Sequence, residues 1–63
     1  MPHVQITMLT GRTLEQKRRA VRRITEVLQQ ELNVNPEKLT IAFLEVAQES
    51  YASNGTLMCD HPK

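Results

Sequence analysis

Few residues in this chain have types and positions suited to chemistry, and the first is Pro2. It follows Met1 and opens the stretch HVQITML. If Met1 is removed, Pro2 becomes the N-terminal residue and carries a secondary amine, a far better base than an amide nitrogen. The structural alternative is a proline at the first position of a strand, where no ladder hydrogen bond is lost. A second candidate is CDHPK near the C-terminus, where Cys59 and His61 lie close together. Zinc sites usually take three or four protein ligands, so two in a tail predict no metal. A third is the basic run QKRRAVRR. It reads as a nucleic-acid patch or as a solvated helix face. The apolar positions Ala20 and Val21 within it favour the face. So do Glu15 four residues before Arg19 and Arg22 four before Glu26, which predict ion pairs along it.

Length and composition narrow the classes. The chain has 63 residues, one small domain over residues 1–63. A domain of this size hides only about 60% of its unfolded surface and needs staples or partners. With a single cysteine, no intrachain disulfide can form, which leaves partners. No apolar run is long enough to span a membrane and no leader pattern is visible. An unpaired thiol without such a leader predicts a cytoplasmic protein. A formal net charge of +1 and only Phe43 and Tyr51 as aromatics argue against nucleic acid as a partner.

The elements follow from pattern. Val4, Ile6 and Met8 alternate with His3, Gln5 and Thr7, a strand with one apolar face. Gly11 suits a turn, and Thr13 with Gln16 forms a capping box for a helix over Leu14–Leu32. Its apolar stripe runs through Ala20, Val21, Ile24, Val27, Leu28 and Leu32. Asn33 suits the C-cap and Pro36 prevents continuation. LTIAFLEV reads as a second strand, with Leu39, Ile41 and Phe43 on one face and Thr40, Ala42, Leu44 and Val46 on the other. Glu45 lies on the Ile41 and Phe43 face, where a structural ion pair is expected. Asn54-Gly55 signals a turn, with a short strand at TLM. Strand, helix and strand at this spacing make an α/β (α+β) unit with parallel strands and a right-handed crossover. One helix covers only one face of two strands, so self-association is expected.

Pro2 at a strand head, Gly11-Arg12 before the helix, EQK at its start and a second strand leading to an aromatic loop occur together in one short chain. In this order the sequence resembles the 4-oxalocrotonate tautomerase family of the tautomerase superfamily, from Pro2 to about Gly55. The resemblance implies a β-α-β subunit dimerising into a four-stranded sheet covered by two helices, with three dimers in a hexamer. It further implies removal of Met1 and cofactor-free keto–enol tautomerisation of a small 2-oxo acid or its enol. Pro2 would be the general base, Arg12 from a neighbouring subunit would grip the carboxylate, and Tyr51 would line the pocket.

General chemistry agrees with these roles. Moving a proton between carbons of an enolisable acid needs a base titrating near working pH. An α-amine titrates near ~8; a dialkyl proline amine is somewhat more basic, and partial burial beside a guanidinium lowers it. Arginine holds a planar carboxylate through two parallel hydrogen bonds. The chain also departs from the family. Thr40 stands where a second arginine usually binds the 2-oxo or 2-hydroxy group, and a hydroxyl stabilises a dienolate less. Tyr51 replaces the usual phenylalanine or tryptophan, so its hydroxyl either polarises substrate or serves only the pocket wall. Dehalogenase or hydratase chemistry would need a carboxylate to activate water, and SYASNG holds none, with Glu49 just before it. A different class of reading is a non-catalytic or partner-dependent chain, in which an unlike subunit supplies the arginine missing at Thr40.

Overall fold

The computed structural model describes residues 2–62; Met1, whose removal the sequence reading invokes, lies outside the described residues. The first strand, β1 (His3–Leu9), leads through Gly11-Arg12 into helix α1 (Leu14–Leu32). A short 3-10 turn at Pro36–Lys38 precedes strand β2 (Thr40–Val46). After a second such turn at Gln48–Ser50, strands β3 (Ala52–Ser53) and β4 (Thr56–Leu57) form a small hairpin, followed by a last turn at Met58–Asp60.

Both helix ends form as their side chains dictate. The Thr13 hydroxyl accepts from the Gln16 N–H at 3.1 Å, and Gln16 Oε1 accepts from the Thr13 N–H at 2.9 Å. Two otherwise unpaired N–H groups are thereby satisfied. At the far end Asn33 takes φ 54°, ψ 40°, the left-handed conformation that closes a helix. Pro36 then starts the 3-10 turn, whose cap is the Asn35 side chain accepting from the Glu37 N–H.

Strands β1 and β2 pair in parallel, with Val4 opposite Ile41, Ile6 opposite Phe43 and Met8 opposite Glu45. Parallel pairing requires the crossover that α1 supplies. The helix lies over the face that carries Ile6, Met8 and Phe43. Lys17 Nζ reaches Glu45 Oε2 there at 2.7 Å, which is the ion pair expected of Glu45. The pairs expected along the basic face do not form. Glu15 instead contacts Arg18 at 3.8 Å, one residue short of Arg19, and both side chains are largely solvated. Long exposed side chains gain little from either partner, so spacing alone does not select one.

β2 begins at Thr40, one residue after its apolar run, because Leu39 caps the preceding turn with its N–H on the Pro36 carbonyl. The stretch TLM contributes only Thr56–Leu57 to a strand. These pair antiparallel with Ala52–Ser53 around Asn54-Gly55, both at positive φ (54° and 79°), as a tight hairpin turn demands.

This fold does not close a core of its own. No described hydrophobic side chain is buried. The accessible surface is 5191 Å², against roughly 4,100 Å² for a compact monomer of this mass. The radius of gyration is 14.9 Å, against roughly 11 Å for a globule of this length. The face of the sheet away from α1 is open, with Leu44 43% exposed, and Val27 and Leu32 on the helix are more exposed still. Apolar surface left this open requires other copies or partners to cover it.

Candidate active site

The ladder between β1 and β2 fixes one corner of the molecule. Pro2, half-buried, precedes β1, and its carbonyl accepts a hydrogen bond from the Thr40 N–H at 3.2 Å. Thr40 lies opposite His3, and its hydroxyl is 2.7 Å from His3 Nδ1. Thus Pro2 and Thr40, two residues singled out from the sequence, share this corner. His3 joins them. The sequence reading gave His3 only a place on a polar face; the parallel register, once known, would have put it beside Thr40.

Arg12 sits at the other end of β1, in the connection that reverses the chain. Gly11 has φ +123°, a conformation that L side chains rarely adopt, so the reversal depends on glycine. The capping box begins directly after Arg12 and fixes the start of α1. Arg12 borders two open grooves. One, of about 330 Å³, has apolar walls from Ile6, Met8, Ala20 and Phe43. The other, of about 400 Å³, lies along Met8 to Arg12 and is closed by Gln48. No described ion pair includes Arg12. A free guanidinium beside apolar walls suits a carboxylate with a hydrocarbon body.

Tyr51 belongs to the same end. The Thr10 N–H donates to the Val46 carbonyl at 3.0 Å, which places the end of β2 beside the start of the Gly11-Arg12 turn. Tyr51 follows five residues later, beyond the Gln48–Ser50 turn, and is 41% exposed. Its carbonyl accepts from the Met58 N–H at 2.8 Å, which ties it to the base of the hairpin.

Within one copy, then, the four candidate residues fall into two pairs. Pro2 and Thr40 lie where the strands begin; Arg12 and Tyr51 lie where they end. From Pro2 to Met8, which borders Arg12, the strand spans roughly 20 Å at 3.3 Å per residue. That length of strand separates the Arg12 end of the sheet from Pro2 of the same chain.

Known proteins are similar to this chain in sequence and fold. The family described as tautomerase enzyme matches residues 2–60. The 2-hydroxymuconate tautomerase of Bacillus subtilis strain 168 is 37% identical over 60 residues, which covers 95% of this chain and 97% of that protein. The crystal structure of a 4-oxalocrotonate tautomerase homologue superposes with a TM-score of 0.90 at 33% identity, over 100% of both chains. A heterohexameric 4-oxalocrotonate tautomerase from Chloroflexus aurantiacus J-10-fl matches with a TM-score of 0.87 at 27% identity, over 95% of this chain and 97% of that one. With fold, length and sequence all shared from end to end, this chain belongs to the tautomerase family and is a keto–enol isomerase of the 4-oxalocrotonate tautomerase type.

Proposed function

We propose that Pro2, freed by removal of Met1, is the general base that moves a proton between carbon and oxygen of a small 2-oxo acid, in a site completed by a second subunit. The observation that carries this reading is the separation of the two pairs, Pro2 with Thr40 and Arg12 with Tyr51, at opposite ends of one sheet. A homohexamer built as a trimer of dimers would bring the Arg12 end of one copy to the Pro2 end of another. It would also cover the open sheet face around Leu44.

In such a site Arg12 holds the substrate carboxylate through parallel N–H donors. The unprotonated Pro2 nitrogen takes the proton from the carbon next to the 2-oxo group. The electron pair left behind forms the C=C bond, and negative charge collects on the 2-oxygen, which takes the proton back from the Pro2 ammonium to give the enol and free the base. In the reverse direction Pro2 takes the enol O–H proton and delivers it to carbon. Tyr51 borders the far end of the substrate. No cofactor enters any step.

The test is subunit mixing. Pro2→Ala and Arg12→Ala proteins are unfolded together, refolded and assayed on phenylpyruvate enol well below the wild-type KM, where both variants are impaired. In a randomly mixed assembly whose sites take one residue from each of two copies, about a quarter of the sites combine an intact Pro2 with an intact Arg12. Recovered activity near that level supports the shared site. Recovery no greater than the sum of the parents puts both residues in one copy and overturns it.

A second reading rests on Thr40, where the resemblance expects an arginine, and on the heterohexameric relative. Here an unlike chain supplies the missing cation. An inactive homo-oligomer that gains turnover when coexpressed with such a chain would favour it.

A further inference from the structure

We propose that His3 is a positioning residue for this reaction, holding the Thr40 hydroxyl so that it donates a hydrogen bond to the substrate's 2-oxygen. This rests on the reading that proton transfer takes place at Pro2.

The argument starts from a count of protons. The Thr40 hydroxyl has one, and the 2.7 Å contact with His3 Nδ1 can be made in two ways. If Thr40 donates to the ring, its oxygen offers only lone pairs to anything else, and these repel an oxygen gathering negative charge. If His3 donates from Nδ1–H, the Thr40 proton is free to point at the substrate. Only the second arrangement assists enolate formation. In it each hydrogen bond polarises the next, and the Thr40 proton is aimed where the resemblance expects an arginine.

The frame supports this role. Thr40 is held on its backbone side by the N–H bond to the Pro2 carbonyl and on its side-chain side by His3. Both contacts come from the start of β1, so the hydroxyl is held on two sides. Both residues are exposed in the single chain and open to a ligand. The rest of that sheet face, Gln5, Thr7 and Leu9 on β1 with Ala42, Leu44 and Val46 on β2, carries no titratable group. Among the described residues of this sheet face, His3 is therefore the one ring that reaches the Thr40 hydroxyl.

A cross-strand pair that merely staples β1 to β2 would lower the melting temperature when cut and leave turnover per folded site unchanged. Kinetics of processed protein separate the two roles. His3→Phe and Thr40→Val are each expected to lower kcat about tenfold with KM within about twofold, less than the loss of a primary oxyanion donor. The double variant should be no slower than the slower single one, because the residues act as a unit. His3→Asn, which can place an amide N–H where Nδ1–H was, should restore most of the rate. Independent, multiplicative losses, or unchanged kcat with lower melting temperature, overturn the proposal.

A second readout isolates it from the fate of the Pro2 reading. Phenylglyoxylate is a 2-oxo acid with no proton to lose. Its binding should shift the His3 ring resonances in wild type and in Pro2→Ala, and should not do so in Thr40→Val. If wild type turns over nothing yet shows this pattern, the base assignment fails and the His3–Thr40 pair stands. Ring resonances that stay unmoved in wild type overturn the pair whatever the turnover.

Discussion

The two ends of the sheet differ in how they hold their chemistry. At the beginning of the strands the groups are short and tied into the ladder: Pro2 through its carbonyl to the Thr40 N–H, and Thr40 through its hydroxyl to His3. At the other end Arg12 is a long side chain on a glycine-led reversal, beside open grooves, and Tyr51 sits where a hairpin arm leaves the body. A proton-transfer base must be placed to within a few tenths of an ångström, and a strand terminus held by ladder bonds does that. An anchor that reaches into another copy, as proposed for Arg12, would gain from length and from an exposed turn. The proposed division of labour matches the type of structure at each end.

Removing the base should do the most damage. Pro2→Ala leaves a primary amine of different basicity and geometry, and kcat should fall by roughly 10²–10⁴-fold, the range for loss of a general base. Rates on 2-hydroxymuconate, with an intact mass to establish that Met1 is absent, check it. A variant with wild-type kcat would return Pro2 to the role of an ordinary strand-start proline.

The anchor end should respond differently. Arg12→Ala removes a charge-assisted pair of hydrogen bonds, about 1.5–3 kcal/mol, or roughly 10–100-fold. Most of this should be in KM, with a part in kcat if the contact tightens in the transition state. Arg12→Lys keeps the charge without the planar fork and should recover only part of the loss. If Arg12→Ala lowers kcat alone and leaves KM unchanged, the contrast between base end and anchor end is wrong.

Adding a cation to the base end sharpens the contrast from the other side. Thr40→Arg should raise kcat/KM for dicarboxylic 2-hydroxy dienoates and for monocarboxylic enols alike, because both carry the 2-oxygen that the residue at this position is proposed to face. A gain confined to dicarboxylic substrates would show that the arginine acts on the second carboxylate instead.

Much of this framework is legible in the chain itself, where local rules decide. The span of α1 follows from Thr13 with Gln16 at one end and Asn33 at the other, since caps are short-range and their side chains have few alternatives. The hairpin turn at Asn54-Gly55 is legible for the same reason, because few residue pairs accept two positive φ values. What depends on register is not legible. His3 faces Thr40 only because β1 and β2 align residue for residue across an intervening helix, and neither strand's alternation states that offset. The partner of Glu15 was equally hidden. Three and four residues are both within reach on a helix, and solvent levels the choice. The apolar stripe of α1 suggested an ordinary core. Its outer members, Val27 and Leu32, are open because no other described part of the chain packs over them.

The smallest effect expected is at Thr13, which lies one residue beyond Arg12 and touches neither pair of site residues. Thr13→Ala removes the acceptor for the Gln16 N–H and, with it, one half of the reciprocal box. Helix caps of this kind are worth about 1 kcal/mol, within a range of roughly 0.5–2. Stability should fall by that amount in urea unfolding at fixed protein concentration, which must be held constant because assembly and folding are linked. The first turn of α1 should fray, and the connection carrying Arg12 should loosen with it. At temperatures where the variant is fully folded, KM should therefore rise by a factor of about two to three, the effect of a few tenths of a kcal/mol on a charge-assisted contact. The beginning of the sheet does not share this cap, so kcat and the rising limb of the pH–rate profile, assigned to deprotonation of the proposed base Pro2, should stay as in wild type. If Thr13→Ala changes kcat and leaves KM alone, the helix start acts on the base rather than the anchor, and the two ends are more tightly coupled than their separation along β1 implies.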